Sequence, residues 1–204
     1  FAKSSFQGLT LGSGRRLPLA FVQRKSTLHK RHQDGSFAPN STIIQKRSSM
    51  ELSGKHEAGM WQLRSGAWVA RKDIHLIQRR SRRPFGVRPG EKWIIVSIGE
   101  RTLVAYEDLR PVFATLISPG LGGIPRKGGD LVKDSTTPLG SYRITFKDRA
   151  ATMASRKRTP NGTWIADVPF TLYFRPPFAI HAAYWHDRFG DLMSAGCVNA
   201  SPID

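Results

Sequence analysis

Apolar and polar positions alternate in short runs along the C-terminal half of the chain, with no sustained helical period. Val, Ile, Leu and aromatic residues cluster at 92–98, 102–106 and 111–118. Gly99-Glu100-Arg101 and Glu107-Asp108-Leu109-Arg110 separate these runs. Three strand-sized segments at such close spacing predict an antiparallel meander. Thr137-Pro138-Leu139-Gly140 opens a further predicted strand at 141–147, and a polar loop around 157–162 leads to others at 168–174 and 178–181. The Gly-rich stretch 120–129 is too long for a tight turn and is expected to be a mobile loop. It lacks the Lys-Ser/Thr pair and following helix of a phosphate-binding loop. The pattern from 91 to 180 therefore predicts a mainly β domain.

Upstream the pattern weakens. Residues 1–55 are rich in Ser, Gly, Lys and Arg without an apolar period, and are expected to be a basic extension of low order. Residues 56–87 read as a small β module and a linker. Gly59-Met60-Trp61-Gln62-Leu63-Arg64 and Ala67-Trp68-Val69-Ala70 are strand-like pieces joined by the turn signal Arg64-Ser65-Gly66. Asp73-Ile74-His75-Leu76-Ile77 is a third piece, and the run Arg79-Arg80-Ser81-Arg82-Arg83-Pro84 reads as a solvated linker.

Charge sharpens this division. Of the net charge of +17, residues 1–90 hold 18 Lys/Arg against 4 Asp/Glu, whereas residues 91–204 hold 14 against 11. A basic extension suits an anionic cell-wall or membrane surface. No zinc-finger spacing, RNA-recognition aromatic motif or recognition helix accompanies the charge, so no specific nucleic-acid partner is expected. No apolar run approaches the roughly 20 residues of a membrane-spanning helix. The chain opens on Phe1, not Met, and closes just after Ser201-Pro202, so both ends are read as cut. A secretion signal would then lie outside this sequence.

The single cysteine, Cys197, excludes an intrachain disulfide and is either core filling or a nucleophile. It follows Ser194-Ala195-Gly196, small residues that let backbone N–H groups approach a substrate carbonyl. His181 lies 16 residues upstream, at the end of a predicted strand. A thiol needs a nearby base or cation to form its thiolate near neutral pH. Spacing by itself does not establish that His181 and Cys197 meet. His186 and Asp187 add further ligand types nearby, but without a familiar metal-ligand spacing, so no metal is expected.

The residues from Ile180 to Asn199 resemble the signature of the L,D-transpeptidase catalytic domain. That family has a strand His followed, after a loop, by Ser/Thr-His-Gly-Cys-x-Asn/Arg. Ile180-His181 is similar to the first part, and Ser194-x-Gly196-Cys197-Val198-Asn199 to the second. Tyr184-Trp185-His186-Asp187-Arg188-Phe189-Gly190 resembles a loop of one branch of the family. Lys92-Trp93-Ile94-Ile95-Val96 with Thr102-Leu103-Val104-Ala105-Tyr106 resembles its opening hairpin, and Ile117-Ser118-Pro119-Gly120 and Thr137-Pro138-Leu139-Gly140 resemble two further landmarks. The resemblance spans residues 88–204. One position departs: Ala195 stands where the family usually has His.

The resemblance implies a β-sandwich catalytic domain that acts on peptidoglycan stem peptides without a cofactor. It implies Cys197 as nucleophile, His181 as base, and the Ala182 carbonyl as acceptor for the His ring. Gly196 and Cys197 N–H groups are the expected oxyanion donors. Tyr184, Trp185, His186, Ser194 and Asn199 are the candidate substrate-side residues. Tyr184 and Trp185 either stack on the stem peptide or anchor core and loop. His186 is expected to shape the substrate loop, and Asn199 to bond loop backbone. It further implies export to the periplasm or cell wall and acylation by carbapenems. The rival reading is a stem-binding module that lost activity with the motif His. Oligomeric state is not legible.

Overall fold

The computed structural model describes residues 4–12, 14–154 and 164–204. The polar loop expected around 157–162 lies outside the described residues. Among the described residues there is no α-helix, and no helix is long and apolar enough to cross a membrane. The chain divides into two compact units, one of residues 9–116 and one of residues 1–8 with 117–204.

The first unit holds two sheets. β1 (Leu9–Thr10) is followed by β2 (Leu19–Val22), β3 (Ser26–Arg31), β4 (Phe37–Ile44) and β5 (Ser49–Glu57). Next come β6 (Met60–Leu63), β7 (Trp68–Ala70), a 3-10 turn at Arg71–Asp73, and β8 (Ile74–Ile77). β2 to β8 form one seven-stranded sheet in the order β4-β3-β7-β6-β5-β2-β8. Residues 19–55, expected to be of low order, thus supply four of its strands. Every residue of β2 is buried. It lies between β5 and β8, where Ala20 and Val22 join a core with Leu28, Leu52, Trp61, Val69 and Ile74. The buried carboxylate of Asp73 is held by Arg24 Nε and Ser26 Oγ, both at 2.6 Å, which ties the 3-10 turn to the loop after β2. Burial raises its pKa, but the Ser26 and Arg24 contacts outweigh that and hold it below the usual range.

The second sheet of this unit is the predicted meander, with β9 (Lys92–Ser97), β10 (Thr102–Glu107) and β11 (Arg110–Leu116), and β1 on its edge. Its turns place Arg101 and Asp108 at positive φ. Trp93 pairs with Tyr106 across the ladder, their rings stacked 4.0 Å apart. The Arg-rich linker is pinned to this sheet: Arg80 N–H donates to Tyr106 Oη at 3.1 Å, and Arg83 pairs with Asp108.

In the other unit β12 (Phe146–Ala154), β13 (Trp164–Arg175) and β14 (Phe178–Ala182) run antiparallel, and β15 (Val198–Ala200) joins β14 in parallel. The strand expected at 141–147 starts only at Phe146. Gly140 takes φ 143°, and Tyr142 turns back to donate its phenol to Leu139 O at 2.6 Å. The Gly-rich stretch is anchored at its start, where Gly120 N–H donates to Thr137 Oγ1 at 2.9 Å.

Residues 4–8 pack in this unit too, although no pattern among them pointed to a role near the cysteine. Phe6 is buried with its ring centroid 6.0 Å from that of Phe189, and its carbonyl accepts from Ser201 Oγ at 2.7 Å. Ser4 Oγ donates to Asp187 and Gly8 N–H to Asp204, each at 2.7 Å.

Candidate active site

His181 sits on β14, in register with Asn199 of β15, and is 3% exposed. Its Nδ1 lies 3.1 Å from Ala182 O. A carbonyl only accepts, so Nδ1 carries the proton and Nε2 is left as the basic atom. Burial pushes the imidazole pKa down, the Ala182 bond partly offsets this, and His186 adds to the fall. The ring is therefore neutral at neutral pH. The half-buried ring of Trp185 lies beside it, centroids 5.6 Å apart.

Cys197 immediately precedes β15, alongside the strand that carries His181, and is half-buried. Its Sγ makes a long contact with Pro177 O at 4.0 Å. Burial raises the thiol pKa, and a bond from the Ala179 backbone N–H only partly counters that. At neutral pH the thiol is thus protonated and the imidazole of the adjoining strand unprotonated.

The loop before Cys197 is held by the small residues the sequence singled out. Ser194 Oγ donates to Cys197 O at 2.5 Å and accepts Gly196 N–H at 3.0 Å. Met193 and Ser194 N–H groups both reach Pro119 O, and Leu121 N–H reaches Ser194 O. Gly196 takes φ 126°, and a Cβ there would lie 2.5 Å from the Phe178 ring and 2.9 Å from Thr136 O. Only glycine fits. Ala195 is exposed.

The expected substrate-side residues divide into two groups. Ser194, His186 and Asn199 are buried and engaged in holding the loop. Asn199 exchanges backbone bonds with Ser118, at 2.8 and 3.0 Å, and its amide lies 3.0 Å from His186 Nε2. His186 Nδ1 accepts from Arg188 N–H at 3.2 Å, so its proton is on Nε2, and the Asn199 oxygen is the complementary atom to meet it. Tyr184 donates its phenol to Ala166 O at 2.6 Å and meets Trp185 edge-on. Trp185 is the member of the set that lies against the His181 ring. His186 and Asp187, weighed above as ligand types, bond instead to Arg188 and to Ser4.

Sequence reasoning missed Ala179, whose N–H reaches the sulfur, and Phe178 and Thr136, which wedge Gly196. None belongs to a motif, and only strand register could have pointed to them. The Ile117–Gly120 and Thr137–Gly140 landmarks do converge here. Ser118 bridges to Asn199 and donates its hydroxyl to Arg188 O, and Thr137 holds Gly120.

Burial lowers the pKa of His186 as well as that of His181. Below about pH 6.5 the unfolded chain binds protons that these rings refuse, so stability is lost as pH falls through that value. The urea midpoint is expected to drop between pH 7 and pH 5. A midpoint unchanged over that range would show that neither ring is held neutral.

Residues 91–204 match the family model of the L,D-transpeptidase catalytic domain, YkuD. That match covers more than half of the chain, and the protein belongs to this family. Its mainly β architecture is consistent with the β-sandwich fold of the family. Two solved structures are similar to it. One is an L,D-transpeptidase from Xylanimonas cellulosilytica, 24% identical over 59% of this chain and 54% of that chain, with a TM-score of 0.42. The other is an L,D-transpeptidase from Mycobacterium smegmatis, 18% identical over 75% of this chain and 73% of that chain, with a TM-score of 0.46. The match thus spans about half the length of the first. No curated protein matches significantly.

Proposed function

We propose that the chain is a cysteine acyltransferase that forms 3–3 cross-links between peptidoglycan stem peptides, with Cys197 as nucleophile and His181 as base. The observation that carries this reading is the His181 ring. Its Nδ1 is tied to Ala182 O, which leaves a basic Nε2 on the strand beside the cysteine loop. In the proposed reaction Cys197 attacks the carbonyl of the diamino acid at position three of a tetrapeptide stem, while Nε2 takes the thiol proton. Collapse of the tetrahedral intermediate breaks the bond to D-alanine, whose amine takes that proton back. An amine of a neighbouring stem then resolves the thioester, or water does so in a carboxypeptidase reaction. The family acts on peptidoglycan stem peptides, and an exported enzyme at the periplasm or cell wall fits that substrate. The basic surface of residues 1–90 would favour an anionic wall or membrane there.

One observation favours the second reading, a stem-binding module without turnover. Position 195 carries Ala, and the Gly196 N–H is already given to Ser194 Oγ. Incubation with a carbapenem, followed by peptide mass mapping, separates the two. The expected result is a covalent adduct on Cys197, formed slowly by the parent and faster by Ala195→His, since the exposed position has room for an imidazole. No adduct on the parent, with a full one on Ala195→His, would make the chain a binding form.

A further inference from the structure

We infer that Tyr173 is a further catalytic residue, whose phenol O–H donates a hydrogen bond to the oxyanion formed when Cys197 attacks an acyl donor. This rests on the acyltransferase reading. An oxyanion needs donors aimed at the place where its charge develops. The backbone pair expected at Gly196 and Cys197 is half committed, because Gly196 N–H already donates to Ser194 Oγ at 3.0 Å. The Ser194 hydroxyl proton is committed as well, to Cys197 O at 2.5 Å. Ala195 has no side-chain donor to offer. A substitute must therefore come from outside the cysteine loop.

Strand register brings Tyr173 to that place. On β13 it pairs with Phe146 of β12 on one side and with Ala179 of β14 on the other. Ala179 in turn bonds the Cys197 sulfur through its N–H. Paired residues share a face of a sheet, and neighbouring strands lie about 4.8 Å apart. Phe146, Tyr173 and Ala179 therefore form one row that runs toward the cysteine. Phe146 walls off its far end, with ring centroids 6.1 Å apart. Between Tyr173 and Cys197 the row carries only the methyl group of Ala179, which a phenol is long enough to overreach. His181 falls two residues along β14, on the same face as Ala179.

The phenol is also chemically suited. Tyr142 and Tyr184 give their protons to Leu139 O and Ala166 O, whereas among the described residues Tyr173 Oη has no such acceptor. Partial burial, then the Cys197 and Asp148 charges, raise its pKa and keep it a neutral donor. In the step itself the sulfur–carbon bond forms as the thiol proton passes to His181 Nε2. The carbonyl π pair moves onto oxygen, where the Tyr173 O–H meets it without transferring its proton. Collapse then restores the carbonyl and expels the amine, which takes the proton from His181.

The test uses two reactions of one thiol. Alkylation by iodoacetamide needs the thiolate but develops no oxyanion, whereas acylation by a carbapenem or a tetrapeptide stem does. Tyr173→Phe is expected to lower the acylation rate, or kcat with the stem, on the order of a hundredfold with KM little changed. Its iodoacetamide rate and thermal midpoint are expected to match the parent, since Oη holds nothing else in place. An acylation rate close to the parent's would overturn the role of Tyr173 alone. So would an equal fall in both reactions, which would make the residue a support for the thiol. A parent that iodoacetamide labels but no acyl donor does would overturn the acyltransferase reading, and this role with it.

Discussion

His181→Ala is expected to slow acylation of Cys197 by on the order of 10²- to 10⁴-fold at neutral pH. The reason lies in the resting protonation of the pair. The thiol is pushed up by burial, so few molecules hold a thiolate on their own, and in the proposed reaction the neutral imidazole takes the proton as the sulfur attacks. A pH–rate profile makes this specific. In the parent the rate should persist on the acid side to below the ordinary histidine range, because His181 takes up a proton only there. In His181→Ala the rate should instead climb with pH through and beyond the ordinary thiol range, following the thiolate alone. Identical profiles for the two proteins would remove His181 from the proton transfer.

Gly196→Ala is the second substitution with a large expected effect. The added methyl group meets the Phe178 ring and Thr136 O well inside contact distance, on a backbone at φ 126°. The thermodynamic loss is expected at about 1–3 kcal/mol, from overpacking and a strained backbone. The catalytic loss should be greater. Gly196 lies between Ser194, which anchors the loop, and the proposed nucleophile, so any adjustment displaces Cys197 and its N–H. Displacement by about 1 Å is enough to lose on the order of a hundredfold in rate. The check is to measure unfolding and acylation on the same preparation, with Phe178→Leu added to make room for the methyl. If Gly196→Ala acylates like the parent, the loop does not set the geometry of the thiol.

The legible parts of this protein were those written in local pattern. Residues 92–116 announced their three strands because apolar runs and turn signals alternate there. Cys197, Gly196 and His181 drew attention by residue type, a lone thiol after small residues and an imidazole at a strand end, whereas their expected roles and that of Ala182 came from the family resemblance. β5 was not legible: of its nine residues Leu52 alone is buried, so no alternation shows in the sequence. β4 is similar, with Ile44 its one buried residue. Such strands are held by their neighbours in the sheet, and their own side chains scarcely report it. The individual bonds of Ser194, His186 and Asn199 were not legible. These residues bond to backbone and to one another, and a motif does not reveal which way a polar side chain turns. The partnership of Tyr173 with Ala179 was hidden for a further reason, since register between strands is invisible before the strands are paired.

The placement of residues 4–8 bears on the order in which the molecule can be made. Ser4 and Asp187 are 183 positions apart, and Gly8 and Asp204 are 196 apart. Contacts that distant in sequence close late, because loop entropy must be overcome before they contribute. The unit of residues 9–116 is complete in the growing chain long before Ser201 leaves the ribosome, and domains generally fold as units during synthesis. The segment bearing Ser4 and Phe6 must wait through that interval with its apolar ring unpaired. The cysteine-bearing unit is therefore expected to close last, after the unit of residues 9–116.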